Sequence, residues 1–235
     1  MKLGIMQPYF FPYLGYFDLI NCSDRWIVFD GVQYIRHGWI NRNRILHPTE
    51  GWSYITVPVK YSRESLIMDV SIADDRKWRR RIQGQLQSYK KKAPYYPEVM
   101  NLIESCLAFG GDLISQFNVF TLEKVCGYIG IHFDYTIFSE MKLELDAIEG
   151  PGDWALRIAQ ALGANEYVNP QGGEDLFEEK KFVESNIKLT IRNLPTLVYD
   201  CPGYEFVPNL SIIDALMWNR PEDIKKYLDD HKDIG

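Results

Sequence analysis

Apolar and polar positions fall into short blocks along the chain, and the first blocks already suggest a layout. Lys2 to Met6 is an apolar run cut off by Pro8 and Pro12, which predicts a buried strand followed by a turn. Leu14, Phe17, Leu19 and Ile20 then recur at helical spacing, and Arg25 to Phe29 reads as a second strand. Strand, loop, helix, strand is the opening of a parallel βαβ unit. Ligands of such sheets sit outside the carboxyl ends of the strands, where Gln7 and Asp30 both fall.

Further along, Gly51 to Tyr61 alternates as a strand, with Pro58 marking an edge or bulge, and a short β segment is expected around Leu66 to Ile72. Three helical stretches follow, over Asp75 to Lys92, Tyr96 to Phe109 and Asp112 to Gly127, the second bounded by prolines and ended by Gly110-Gly111. Ile131 to Phe138 predicts a strand and Pro151 to Leu162 a helix. Tyr167-Val168-Asn169 runs as a strand into Pro170-Gln171-Gly172-Gly173, a helix from about Asp175 to Asn186, and a strand over Ile187 to Ile191. Helices are expected over Ser211 to Trp218 and Pro221 to Leu228. The pattern predicts a Rossmann-like α/β fold with a mostly parallel sheet. A single domain would span residues 1–235, with 75–130 a helical middle insertion.

Composition narrows the class. With 235 residues, 46% hydrophobic and 25% charged, the chain can bury a substantial core without disulfide or metal staples. A net charge of −6 argues against a broad nucleic-acid surface, which requires lysine and arginine to neutralise phosphates. Cys22, Cys106, Cys126 and Cys201 are widely spaced and form no CxxC pair, so they read as buried, reduced thiols. No closely spaced His, Cys, Asp or Glu set suggests a metal, and no motif names a cofactor. No apolar run approaches the ~18 residues of a membrane span and the N-terminus lacks a signal-peptide core, so a cytoplasmic location is expected.

Candidate chemistry concentrates between Asp30 and Arg44. Asn41-Arg42-Asn43-Arg44 supplies guanidinium forks for phosphate or carboxylate and amides for sugar hydroxyls, alongside Gln33, Tyr34, Gln7 and Tyr9. His37 sits inside this cluster and Asp30 at the end of the second strand, which makes them the candidates for a proton-accepting role. Asn169, Gly172 and Gly173 form a second loop whose backbone can approach a ligand closely. A basic run, Arg76-Lys77-Trp78-Arg79-Arg80-Arg81 with Lys90-Lys91-Lys92, reads equally as a polyanion contact or a solvated helix face. The loop Phe11-Pro12-Tyr13-Leu14-Gly15-Tyr16 resembles the strand-to-helix loop of nucleotidyltransferase-like enzymes, without the two histidines of their signature.

Gln7-Pro8 through Gly15-Tyr16-Phe17, Asp30-Gly31-Val32-Gln33-Tyr34, Asn41-Arg42-Asn43-Arg44, Ala93-Pro94-Tyr95-Tyr96, Asn169-Pro170-Gln171-Gly172-Gly173 and Pro208-Asn209-Leu210-Ser211-Ile212-Ile213-Asp214 together resemble the WbqC-like protein family over nearly the whole chain. Where some members of that family begin His-Gln-Pro, this chain has Met6-Gln7-Pro8. The resemblance implies work on an activated sugar in the synthesis of O-antigen or another bacterial surface polysaccharide. Three activities are compatible with the residues. One is a transferase placing an acyl or aminoacyl group on the amine of a nucleotide-linked sugar, its partner being that small molecule; the others are an ATP-using nucleotidyltransferase or ligase and a non-catalytic sugar-nucleotide binder.

Overall fold

The computed structural model describes residues 1–73 and 77–232. The chain opens with β1 (Lys2–Met6), α1 (Leu14–Cys22) and β2 (Arg25–Val28), the expected βαβ unit, with β1 and β2 parallel. Two antiparallel hairpins follow, β3 (Arg42–Leu46) with β4 (Trp52–Thr56), and β5 (Val59–Lys60) with β6 (Ser71–Ile72). Then come α2 (Lys77–Leu86), α3 (Tyr96–Leu107), α4 (Ile114–Ile129), β7 (Tyr135–Ile137), α5 (Asp153–Ala161), β8 (Glu166–Pro170), α6 (Glu179–Glu184), β9 (Lys188–Arg192), α7 (Ile212–Trp218) and α8 (Pro221–Asp230).

Five strands form one parallel sheet in the order β7-β2-β1-β8-β9. The chain therefore builds outward from β1 on one side, through β2 to β7, and then returns to the other side of β1 to place β8 and β9. Alternation along the strands sends side chains to two apolar layers. Leu3, Ile5, Ile27 and Tyr167 pack against α5 and Phe182 of α6, whereas Trp26, Val28 and Val168 join α1, α4, α7 and α8 on the opposite face. That second layer is continuous with the buried residues of the hairpins and of α2 and α3, including Ile45, Ile55, Trp78, Ile82 and Ile103.

Several expectations change at the level of elements. Between β2 and β7 the two hairpins come first, and the described part of residues 75–130 holds α2, α3 and α4. Gly51 to Tyr61 is two strands, interrupted at Val57-Pro58, because proline cannot donate to a ladder. Strand β3 takes Arg42, Asn43 and Arg44, to which the apolar pattern assigns no element. The helix expected over Asp175 to Asn186 is a single 3-10 turn, Glu174–Leu176, followed by the shorter α6. Only Tyr135–Ile137 of the stretch Ile131 to Phe138 is strand. Asp75 and Arg76, the expected helix start and the first cation of the basic run, lie outside the described residues.

Candidate functional site

In an open parallel sheet the carboxyl ends of two neighbouring strands gape where the order of strand addition reverses. Here that place lies between β1 and β8. A crevice of about 400 Å3 opens there, lined by Met6, Tyr9 and Tyr13 from the chain after β1, by Gln171 and Gly172 after β8, and by Trp39, Arg44 and Asn209.

The loop after β1 is held by donors from four elements. Tyr16 of α1 donates to the Gln7 carbonyl at 2.9 Å, and Nδ2 of Asn118 on α4 donates to both Pro8 and Ile40 at 2.7 Å. Asn43 of β3 donates to the carbonyls of Phe10 and Phe11 at 3.0 and 2.9 Å, while its Oδ1 accepts from the Arg44 amide. Ser211 Oγ also donates to Phe11, and the Ile212 amide donates to Pro12, each at 2.8 Å. Phe11 occupies the left-handed region at φ 39°, a conformation that costs a bulky residue about 1–3 kcal/mol and that these bonds offset. The result is a rigid wall that presents Tyr9 and Tyr13 to the crevice.

Arg44 is the cation of the crevice. Its Nη2 donates to the Asn209 carbonyl at 3.0 Å, and its guanidinium lies 5.3 Å from the Trp39 ring centre and 5.2 Å from that of Trp52. Its Nε is buried and has no hydrogen-bond partner among the described residues. Arg42, two residues away on the same face of β3, is employed differently. It closes the loop before it by donating to the carbonyls of His37 and Gly38, contacts His37 Nδ1 at 3.3 Å, and covers the Tyr54 ring at 4.1 Å.

The other residues singled out from sequence divide cleanly. Tyr9, Asn43, Arg44 and Gly172 line the crevice; Asp30, His37, Gln33, Tyr34, Asn41 and Arg42 are not among its lining residues, nor is Gln7. Asp30 is buried, and its two oxygens accept from the amide and the hydroxyl of Ser139 at 3.0 and 2.7 Å. His37 is exposed in a left-handed turn at φ 66°. Gln33 donates to the Arg63 carbonyl at 2.6 Å, and Tyr34 donates to Asn41 Oδ1 at 2.8 Å while Asn41 donates to Val57. Asn169 is tied to Tyr167 and to the Pro170 carbonyl. Gly173 lets its amide pack close, since a Cβ there would stand 2.6 Å from Asn169 Nδ2. Gly172 turns at φ 94°, and its N–H donates to Glu174 at 2.7 Å.

Burial raises the pKa of both Tyr9 and Tyr13, the latter helped by neighbouring Tyr9 and Asp18. Both hydroxyls are therefore protonated at neutral pH and act there as donors. No group of three or more His, Cys, Asp or Glu suited to a metal occurs among the described residues. No helix of the described residues is long and apolar enough to cross a membrane.

Sequence reasoning passed over Asn118 and the pair Asp18–Arg192, and met Asn209 and Ser211 only within the motif Pro208 to Asp214, without a role. Asn118 carried a usable signal: with Ile114, Phe117, Thr121 and Leu122 it lies on the buried stripe of α4, where an amide needs a partner. Asp18 and Arg192, 174 residues apart, form a buried bidentate ion pair at 2.7 and 2.8 Å that no local pattern announces.

The family model described as the WbqC-like protein family matches residues 7–226. The chain is also 29% identical over 231 residues to a protein of Mycobacterium tuberculosis (strain ATCC 25618 / H37Rv) described as "Uncharacterized protein Rv1507c", with 92% of each chain covered. No solved structure matches. The family match takes in the loop after β1, β3, the loop after β8 and the start of α7, and so every lining residue of the crevice except Met6, and the chain belongs to the WbqC-like protein family.

Proposed function

We propose that this is a Rossmann-like transferase of bacterial surface-polysaccharide synthesis, O-antigen included, acting on a nucleotide-linked amino sugar. The ligand binds in the crevice between β1 and β8, and an acyl or aminoacyl group is placed on the sugar amine. The observation that carries the reading is Arg44, a cation lining the crevice among the flat side chains of Tyr9, Tyr13 and Trp39 where the sheet reverses its order. Arginine is suited to a diphosphate, and aromatic faces to a base or sugar ring.

In the transfer the amine nitrogen forms a bond to the acyl carbon, the bond from that carbon to its carrier breaks, and the amine proton leaves to the carrier or to water. The protonated hydroxyls of Tyr9 and Tyr13 donate to the oxyanion that develops on the acyl oxygen. Asp30 is engaged by Ser139 and His37 faces solvent, so on this reading the amine arrives neutral and neither side chain accepts its proton. Gly172 N–H is taken by Glu174, which leaves the oxyanion to the tyrosines.

A second reading, an ATP-using nucleotidyltransferase-like enzyme or ligase, is supported by the route of the proline-aromatic loop from the end of β1 directly into α1. One experiment separates them: purified protein with a panel of nucleotide-linked amino sugars and acyl or aminoacyl donors, with and without ATP, read by mass spectrometry. Gain of an acyl mass without AMP supports the transferase. ATP-dependent release of AMP supports the ligase, and tight binding without any product leaves a binding protein.

A further inference from the structure

A second cavity, of about 290 Å3, adjoins the crevice and shares Tyr13, Pro170, Gln171 and Asn209 with it. The first turns of α1 form one side, and the irregular segment 193–210 forms the other. That outer wall is pinned from several directions. Tyr227 donates to the Pro195 carbonyl at 2.6 Å, Tyr199 donates to Asp214 at 2.6 Å, and Arg44 donates to the Asn209 carbonyl at 3.0 Å. The cavity is thus built by the fold.

Its electrostatics differ from those of the crevice. Asp18 and Arg192 both line it, but they are buried against each other in the bidentate pair, and neither offers a net charge. The uncharged polar side chains include Asn193, Thr196 and Gln171, set beside apolar ones such as Leu14, Leu194 and Leu197. Neutral donors and acceptors beside apolar side chains suit a hydroxylated ring with apolar C–H faces. An ionic group would find no unpaired counter-charge on this wall, so the cavity favours a neutral one. The neighbouring crevice, with Arg44, has the opposite preference.

We propose that the second cavity is the glycosyl subsite: it takes the uncharged sugar ring of the nucleotide-linked ligand while the diphosphate lies at Arg44. This assignment rests on the reading of the crevice given above and divides one ligand across the two cavities by charge. The shared residues Tyr13, Gln171 and Asn209 would then stand at the junction of phosphate and sugar.

The test is calorimetric titration of the full chain with UDP, dTDP and GDP, each bare and as its hexose conjugate. Wild-type protein is expected to bind at least one conjugate about tenfold or more tighter than its bare diphosphate. Leu197→Trp, which fills the cavity, should remove that advantage and leave the bare diphosphate within about twofold. Asn193→Ala, a milder change on the same wall, should reduce it several-fold, and a thermal melt of each variant verifies folding. Equal binding of conjugate and diphosphate by the wild type, or equal weakening of both by the two variants, overturns the glycosyl subsite and leaves the crevice assignment standing. If no bare diphosphate and no conjugate binds the wild type, the crevice reading falls and the subsite falls with it.

Discussion

Arg42 and Arg44 show how two identical side chains on one strand face take different tasks. Arg42 is consumed by the turn at His37 and Gly38, whereas Arg44 lines the crevice and donates to the Asn209 carbonyl at its rim. A hydrogen bond to a charged group contributes about 1.5–3 kcal/mol, so Arg44→Ala should weaken nucleotide-sugar binding roughly ten- to a hundredfold. Arg42→Ala should change affinity less than about threefold and lower the melting temperature. Calorimetry beside thermal melting of the two variants checks both directions. A reversal of the pattern would move the anion site to the other side of β3. Tyr9→Phe removes the donor but keeps the ring, and is expected to lower turnover in the mass-spectrometric assay by about tenfold or more while binding stays near wild type.

Asp214 is a residue-scale case of a different kind. It is buried, and its oxygens accept from Tyr89 at 2.7 Å, Tyr199 at 2.6 Å and Trp218 at 3.4 Å. Burial raises its pKa, and the three donors oppose that shift without cancelling it. A carboxyl whose folded pKa lies above its unfolded value favours the folded state while protonated. Its contribution is therefore fully present below the ordinary value near 3.8 and is lost as pH rises through the folded pKa. Asp214→Asn should flatten the acid-side pH dependence of stability, measured by urea denaturation at steps from pH 4 to pH 7. An unchanged slope would show that Asp214 does not titrate there.

At the scale of elements, the sequence pattern makes β1, α1, β2, α3, α4 and α7 visible because their apolar residues repeat at the spacing of the element. Strand β3 escapes the same reading for a physical reason. Its exposed face carries Arg42 and Arg44, and on its inner face Asn43 stands where an apolar residue would be looked for, its amide satisfied by the carbonyls of Phe10 and Phe11. A polar side chain that serves as a strut looks in sequence like one that meets solvent or ligand. The same ambiguity covers Asn41, Gln33 and Asn169, all engaged within the protein. Arg44, Tyr9 and Gly172 do line the crevice, but their grouping depends on β8 lying beside β1, which no local pattern encodes.

The struts also carry a prediction of their own. Ser211 caps α7, accepting from the Ile213 amide at 3.3 Å, and at the same time holds Phe11. Ser211→Ala should cost about 1–2 kcal/mol, more than an isolated cap in a peptide, because a buried carbonyl loses a donor together with the cap. Chemical denaturation measures it, and a loss below about 0.5 kcal/mol would show that Asn43 alone suffices to hold the loop.

For the molecule as a whole, the four cysteines are free and buried. Burial pushes Cys22 up to about 11 and Cys106 up to about 12, and raises Cys126 and Cys201 as well, so the reactive thiolate is scarce at neutral pH. Titration with a thiol reagent should count four thiols in denaturant and react slowly with the native protein. Rapid native modification would mean that a thiol lies nearer the surface than the fold places it. The buried pair Asp18–Arg192 acts at the same scale, since Arg192 also donates to the carbonyls of His231 and Lys232 and so fastens α1, β9 and the end of α8 at one point. Arg192→Ala leaves Asp18 without its ionic partner and should cost about 3–5 kcal/mol by denaturation, whereas a charge pair at the surface would contribute under 1 kcal/mol.

Strand β1 is central in the sheet, yet its second neighbour, β8, begins 160 residues after it ends. During synthesis the first strand of this sheet to emerge is therefore the one that waits longest for its second neighbour. Until residues 166–170 emerge, one whole edge of β1 carries unpaired backbone groups, and Leu3 and Ile5 lack the helices that will cover them. A nascent chain held at about residue 150 should bind a holdase chaperone and aggregate on release, and one carried past β9 should not. Pulldown of stalled chains at the two lengths makes the comparison. The feature that creates the crevice, a sheet closed by a late return to its first strand, thus also makes the time between the two halves of synthesis the vulnerable period in this protein's life.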